Sequence, residues 1–109
     1  MKKVYIASPY TLGDVAVNVK LQIDTASELI AAGFAVFWPL SSHFLHMAHP
    51  QDYPIWTQQD LEWVASCDVL LRIGGESKGA DREVEYAREL GKEVFCSVND
   101  LTRRVAIRK

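Results

Sequence analysis

Four short apolar runs punctuate the chain, at residues 3–8, 34–38, 68–73 and 93–97. Between them lie longer stretches whose apolar positions recur three and four apart. The short runs read as strands and the spaced stretches as helices, because side chains repeat on one face every second residue of a strand but every third or fourth of a helix. The first run ends at Pro9. Asp14 is placed to cap a helix with apolar positions Ala16, Val19, Ile23, Ala26, Leu29 and Ile30, and Gly33 stops it. Phe34-Ala35-Val36-Phe37-Trp38 has no polar position, which suits a strand buried on both faces. Pro39 ends it. Residues 39–52 form the longest irregular stretch. Pro54 suits the first turn of a helix through Leu61, Val64 and Ala65. Residues 79–90 form a third helix, stopped by Gly91, and Asn99 or Asp100 caps a short final one.

Strands that alternate with helices need crossover connections, and these give a parallel sheet with right-handed crossings. The expected fold class is α/β. It is a small three-layer open sheet of about four to five parallel strands with helices on both faces. At 109 residues the whole chain, 1–109, reads as one domain with a single modest core. In open sheets of this kind ligands bind beyond the carboxyl ends of the strands, where the strand order reverses. The ends of the first three runs carry Ser8-Pro9-Tyr10, Pro39-Leu40-Ser41-Ser42-His43 and Gly74-Gly75-Glu76-Ser77. One cleft lined by all three loops follows from that rule.

Composition removes some functions. A net charge of −2 without a block of like charge argues against nucleic-acid binding by phosphate neutralisation. The basic residues Arg103, Arg104, Arg108 and Lys109 read as a solvated terminus. No apolar run approaches the roughly 18 residues of a membrane span. The apolar part of the N-terminus ends at Ser8-Pro9, too short for a signal-peptide core, so a cytoplasmic location is expected. Cys67 and Cys96 lack C-x-x-C spacing and read as reduced, buried thiols.

The richest segment for chemistry is Ser77-Lys78-Gly79-Ala80-Asp81-Arg82-Glu83-Val84-Glu85-Tyr86-Ala87. A loop of small residues that opens a helix after a strand presents free N–H groups to an anion. Glu83 in the early turns of that helix has two readings. It complements the helix dipole, a contribution of roughly 0.3–1 kcal/mol. Alternatively it turns inward, since it shares a face with Ala87 and Leu90, and works in the cleft. Asp60 is either an exposed helix residue or a second carboxyl group that meets Glu83, and two carboxyls in different surroundings can divide nucleophilic and acid/base work. Asp68, at the start of its strand, reads as structural. Tyr5 is either core or a phenol aimed at a carboxylate. Ser8 offers a hydroxyl to ligand oxygens. His43, His46 and His49 are joined by no cysteine or carboxylate at ligand spacing, so no metal is expected. A loop closing over a ligand fits that segment better, with Phe44, Met47, Tyr53 and Trp56 as apolar contacts; Trp38 and Trp63 read as core. There is no phosphate-binding G-x-x-x-x-G-K-[ST] loop, no G-x-G-x-x-G fingerprint after the first strand and no G-x-S-x-G elbow.

Three segments together resemble the nucleoside 2-deoxyribosyltransferase superfamily, over about residues 3–97. They are Val4-Tyr5-Ile6-Ala7-Ser8-Pro9-Tyr10, then Asp60-Leu61-Glu62-Trp63-Val64-Ala65-Ser66-Cys67-Asp68, then Ser77-x-Gly79-x-x-x-Glu83-x-x-x-Ala87 followed by Gly91-Lys92. The chain looks closest to the short uncharacterised phage and bacterial members, and is similar to the nucleotide N-glycosidases of that fold. The resemblance implies a flavodoxin- or Rossmann-like sheet and cleavage or transfer at the N-glycosidic bond of a (deoxy)nucleoside or nucleoside 5′-monophosphate. It places the nucleophile on Glu83, the catalytic aspartate on Asp60 and the orienting tyrosine on Tyr5. Ser8, Pro9, Tyr10, His43, Ser77 and Gly79 are the expected substrate-binding residues, Ser77 and Gly79 against a 5′-phosphate. The nucleotide-cleaving members carry an arginine in the first βα loop, where this chain has Pro9-Tyr10-Thr11. Arg82, just before the glutamate, contacts an anion or points to solvent. No cofactor is expected, and the partners are a small-molecule substrate and further copies of the chain, a homodimer at least, with Trp56, Trp63 and Val64 as a candidate interface. Two other readings stand beside this one: a nucleotide-sensing module without turnover, and a glycohydrolase of a larger NAD-like nucleotide.

Overall fold

The computed structural model describes residues 1–105; Arg108 and Lys109 of the basic tail lie outside the described residues. The element order is β1 (Lys3–Ala7), α1 (Val15–Ala31), β2 (Ala35–Phe37), a 3₁₀ turn (Pro39–Ser42), α2 (His43–Ala48), α3 (Tyr53–Ser66), β3 (Val69–Arg72), α4 (Lys78–Glu89), β4 (Glu93–Phe95) and α5 (Val98–Arg104). The four strands form one parallel sheet in the order β2-β1-β3-β4. β1 is therefore flanked by β2 and β3, and the chain changes direction across the sheet between them.

Alternation along the strands builds the two faces. Val4, Ile6, Val69, Leu71 and Phe95 point to one side and pack with Ala26 and Leu29 of α1 and Leu101 of α5. Tyr5, Ala7 and Leu70 point to the other and pack with Val64 of α3 and Ala80, Val84 and Ala87 of α4. The result is the expected three-layer α/β architecture, with a sheet buried by helices on both faces. No described helix is long and apolar enough to cross a membrane.

Local signals explain most boundaries. Asp14 caps α1 by accepting from the Val17 N–H at 3.1 Å, and Gly33 follows the helix with φ +99°. Ser77 caps α4 by accepting from the Ala80 N–H at 3.1 Å. Six expectations need correction. Residues 39–52 are not irregular, since the 3₁₀ turn and α2 occupy 39–48. α5 is capped by Ser97, which accepts from the Asp100 N–H at 3.1 Å, rather than by Asn99 or Asp100. β2 lies at the sheet edge and is half-buried, because no strand among the described residues pairs with its outer side. The buried stripe of α1 runs through Gln22, Thr25, Ala26 and Leu29, leaving Ile23 and Ile30 exposed. Cys67 is buried but Cys96 is exposed. Trp63 is also largely exposed, so it is not core, while its neighbour Val64 is.

Candidate active site

A cavity of about 820 Å³ opens where the loops after β1, β2 and β3 converge, at the reversal of strand order. β1 and α4 bring the decisive pair together in it. The Tyr5 hydroxyl donates to Glu83 Oε2 at 2.7 Å, across 78 residues of sequence. Tyr5 is held from beneath by a stack of rings, Tyr5 on Phe37 at 5.7 Å and Phe37 on Trp63 at 4.6 Å. Asp60 reaches the same cavity from α3. A shallower hollow of about 630 Å³ on the outer side of α4, around Asp81, Glu85, Arg88 and Glu89, holds none of these three groups.

Burial controls the protons. It pushes the Asp60 carboxyl up to about 7. Glu83 rises to about 8, chiefly by burial; the Tyr5 hydrogen bond opposes the rise, the Asp60 charge adds to it and the Arg72 charge opposes it. The Tyr5 phenol is raised well above its usual value, first by burial and then by the Glu83 and Asp60 charges, so it stays protonated and donates. Two carboxyl groups raised into the neutral range and facing one cavity can hold one proton between them. Cys67 is pushed up to about 11 by burial and stays a neutral thiol, which removes it as a nucleophile at neutral pH.

The other expected residues distribute as follows. Ser8, Tyr10, His43, Ser77 and Gly79 all line the cavity. Pro9 does not, because its ring is buried beneath the wall against Gly74. Gly74 has φ +80°, and a Cβ there would sit 2.6 Å from Pro9 Cδ, so the first and third loops are fitted to each other at a glycine. The Tyr10 hydroxyl is hydrogen-bonded to His43 Nδ1. His46 Nδ1 accepts from the Trp56 indole N–H at 2.7 Å, which leaves its proton on Nε2. His49 is exposed and takes no part in the cavity. Tyr53 and Trp56 line the cavity, whereas Phe44 and Met47 point to solvent and are not its apolar contacts. Lys78 and Arg82 stand on the cavity wall in the early turns of α4. Among the described residues no group of three or more histidines, cysteines or carboxylates converges as a metal site would need.

Three residues that shape the site were not singled out in the sequence. Gln22 is fully buried. Its amide donates to Ser8 Oγ at 2.7 Å, and its oxygen accepts from the Leu40 N–H at 2.7 Å. It therefore ties two cavity loops and leaves the Ser8 proton free to donate. A polar residue in register with Ala26 and Leu29 on the buried stripe was the available signal. Asn18 donates to the carbonyls of Tyr10 at 3.0 Å and Leu12 at 2.9 Å, holding the first loop. Arg72 fastens the third loop through the Ile73 and Gly75 carbonyls.

Residues 2–97 match a protein family described as a domain of unknown function, DUF7768. The chain belongs to that family. Among curated proteins none matches it significantly. Two solved structures share the fold. One is a 2-deoxyribosyltransferase of Bacillus psychrosaccharolyticus, with TM-score 0.65 and 24% identity over 84% of this chain and 69% of that one. The other is a 2-deoxyribosyltransferase of Leishmania mexicana, with TM-score 0.64 and 16% identity over 86% of this chain. The chain spans 62% of the length of the Leishmania protein. At these identities the likeness establishes the architecture of this DUF7768 domain, a Rossmann-like parallel sheet.

Proposed function

We propose that this DUF7768 domain breaks or exchanges the N-glycosidic bond of a (deoxy)nucleoside or nucleoside 5′-monophosphate, with Glu83 as nucleophile. The observation that carries the reading is the Tyr5–Glu83 hydrogen bond in a cavity shared with Asp60. A Glu83 carboxylate oxygen bonds to the anomeric carbon while the bond to the base nitrogen breaks. The electron pair leaves with the base, and Asp60 supplies the proton. Positive charge develops on the sugar ring in the transition state and is stabilised by the carboxylate beside it. A second base or water then attacks the same carbon, gives its proton to Asp60 and frees Glu83. The sequence needs Glu83 ionised and Asp60 protonated; burial leaves Glu83 at about 8, above Asp60 at about 7, so this is the minor distribution of the proton in the free protein, and the Tyr5 hydrogen bond and the Arg72 charge narrow the gap.

Two further features support a nucleoside-sized substrate. A cavity of about 820 Å³ lies within the range of small-molecule sites. The start of α4 brings Ser77, Lys78, Gly79 and Arg82 to one wall of the cavity, a helix N-terminus with two cationic side chains, which suits a 5′-phosphate. The fold shared with two 2-deoxyribosyltransferases agrees with this reading. A homodimer goes with it, using the exposed Trp63 rather than the buried Val64.

The test is a panel of nucleosides and 5′-monophosphates read by release of free base, with and without an acceptor base. The expected result is release by the wild type and loss of at least about a thousandfold in Glu83→Ala. Exchange with the acceptor marks a transferase, and release without it a hydrolase. Release by Glu83→Ala at the wild-type rate would remove Glu83 as nucleophile. Binding of a panel member with no product would favour the sensing module.

A further inference from the structure

Arg72 closes β3 with a side chain only 15% exposed. Nη1 donates to the Ile73 carbonyl at 2.5 Å and Nη2 to the Gly75 carbonyl at 2.7 Å. Nε lies 3.3 Å from Asp81 Oδ1, a carboxylate that is 68% exposed. The two short bonds go to neutral carbonyls, and the one anionic partner is solvated and at the long end of hydrogen-bond distance. The guanidinium's charge is thus offset only by a solvated carboxylate, while the side chain is largely enclosed beside the start of α4. The turn it chelates is also seated against Pro9 through Gly74. The end of β3, the Gly74-Gly75 turn and the first turn of α4 are fastened as one body, and Glu83 lies on that helix two residues beyond Asp81.

We infer that Arg72 is a positioning residue for Glu83: it fixes the start of α4, the helix that carries Glu83, against β3 and sets a permanent cation beside that helix, which favours the charged form of Glu83. The inference builds on the reading of Glu83 as nucleophile and supplies a contribution that an ionised nucleophile needs, a cation that opposes the rise burial imposes on Glu83. The titratable and charged groups around Glu83 come from every neighbouring element. Tyr5 approaches from β1, Asp60 from α3 and Arg72 from β3. His43 and His46 stand across the cavity on α2. Glu76 in the loop and Lys78, Asp81 and Arg82 on α4 itself are exposed. Water and salt screen the exposed four, so Arg72 is the cation whose field reaches Glu83 least diminished. Burial alone raises Asp60, whereas the Arg72 charge acts on Glu83.

The test separates this inference from the glycosyl-transfer reading by titrating Glu83 without any substrate. Carboxyl carbons are followed by NMR from pH 4 to 10, with Glu83 assigned by its absence in Glu83→Gln. In Arg72→Met the Glu83 midpoint is expected to rise by about one unit, the scale of a partly screened charge several ångströms away. Arg72→Lys, which keeps the charge, should hold the midpoint within about 0.3 unit of wild type. Arg72→Gln replaces the methionine variant if that one does not fold, with the same expected rise. Where a panel substrate turns over, the acid limb of kcat/KM moves up with the midpoint, an approximately tenfold loss near pH 6. A folded, neutral variant whose Glu83 midpoint does not move overturns the inference. A panel without turnover overturns the glycosyl-transfer reading instead, and the titration still decides Arg72.

Discussion

Replacing Glu83 with glutamine should make the protein more stable in alkali and nearly unchanged in acid. A carboxyl raised by burial binds its proton more tightly folded than unfolded. Its contribution to stability is then full below its unfolded value and is lost as pH rises through its folded one. For Glu83 that window runs from 4.5 to about 8. At about 1.4 kcal/mol per unit the loss is at most roughly 5 kcal/mol, and solvent access to a half-buried carboxyl brings it to about 2–3 kcal/mol. Glutamine keeps an oxygen to accept from the Tyr5 hydroxyl and never ionises, so it escapes that loss. With roughly 4 °C per kcal/mol for a domain of this size, Tm of Glu83→Gln should exceed that of wild type by about 8–12 °C at pH 9. At pH 4 the gap should shrink to about 2 °C or less. Circular-dichroism melts of both proteins at the two pH values measure it. Equal pH dependence in the two proteins, or a Glu83→Gln variant less stable at pH 9, would refute the claim that Glu83 is buried against its own charge.

Two further outcomes follow from single hydrogen bonds. Tyr5→Phe removes the donor that favours ionised Glu83, so kcat/KM for base release should fall about 10–100-fold with its acid limb moved to higher pH; an unchanged profile would show that the phenol does not act on Glu83. Gln22→Leu leaves the Leu40 N–H without its acceptor and Ser8 without its anchor, and should cost about 2–4 kcal/mol in urea unfolding; a loss under about 0.5 kcal/mol would show that the loops hold without it.

What was legible in the sequence and what was not divide along a physical line. Asp14 and Gly33 act on backbone groups within three or four residues, and each boundary they mark is where their chemistry puts it; Ser77, read in the sequence as a phosphate contact, also caps α4. The place of the cavity was legible too, because alternating strands and helices force a parallel sheet and such a sheet has a reversal point. α2 was hidden for the opposite reason. Ser42 makes no side-chain cap bond, and Phe44, Leu45 and Met47 are exposed, so the segment shows neither a local signal nor a buried face. Its ties are Tyr10 to His43 and Trp56 to His46, made by residues remote in sequence or beyond a loop. Arg72 was hidden similarly. An arginine at a strand end looks like the first solvated residue of a loop, and only the turn of its own loop back over the guanidinium shows that it is held inside.

The carboxyl pair is the place where local chemistry and folding disagree, and that disagreement is informative. Val64, Ala80, Val84 and Ala87 pack with Tyr5 in the apolar layer that stabilises α3 and α4 against the sheet, on the helices that carry the pair. Burial between those helices and the sheet strips water from Asp60 and Glu83 and raises both. A sequence selected for stability alone would place apolar or neutral side chains at positions 60 and 83. The chain instead keeps two acids there, donates a phenol to one of them and holds a cation at the end of β3 whose charge acts on the same one. Each of those additions lowers the cost of charge on Glu83 specifically, and none does so for Asp60. Such asymmetry has no use in a site that only needs to be filled; it offsets part of the burial cost on Glu83, which is the group the proposed reaction would need charged.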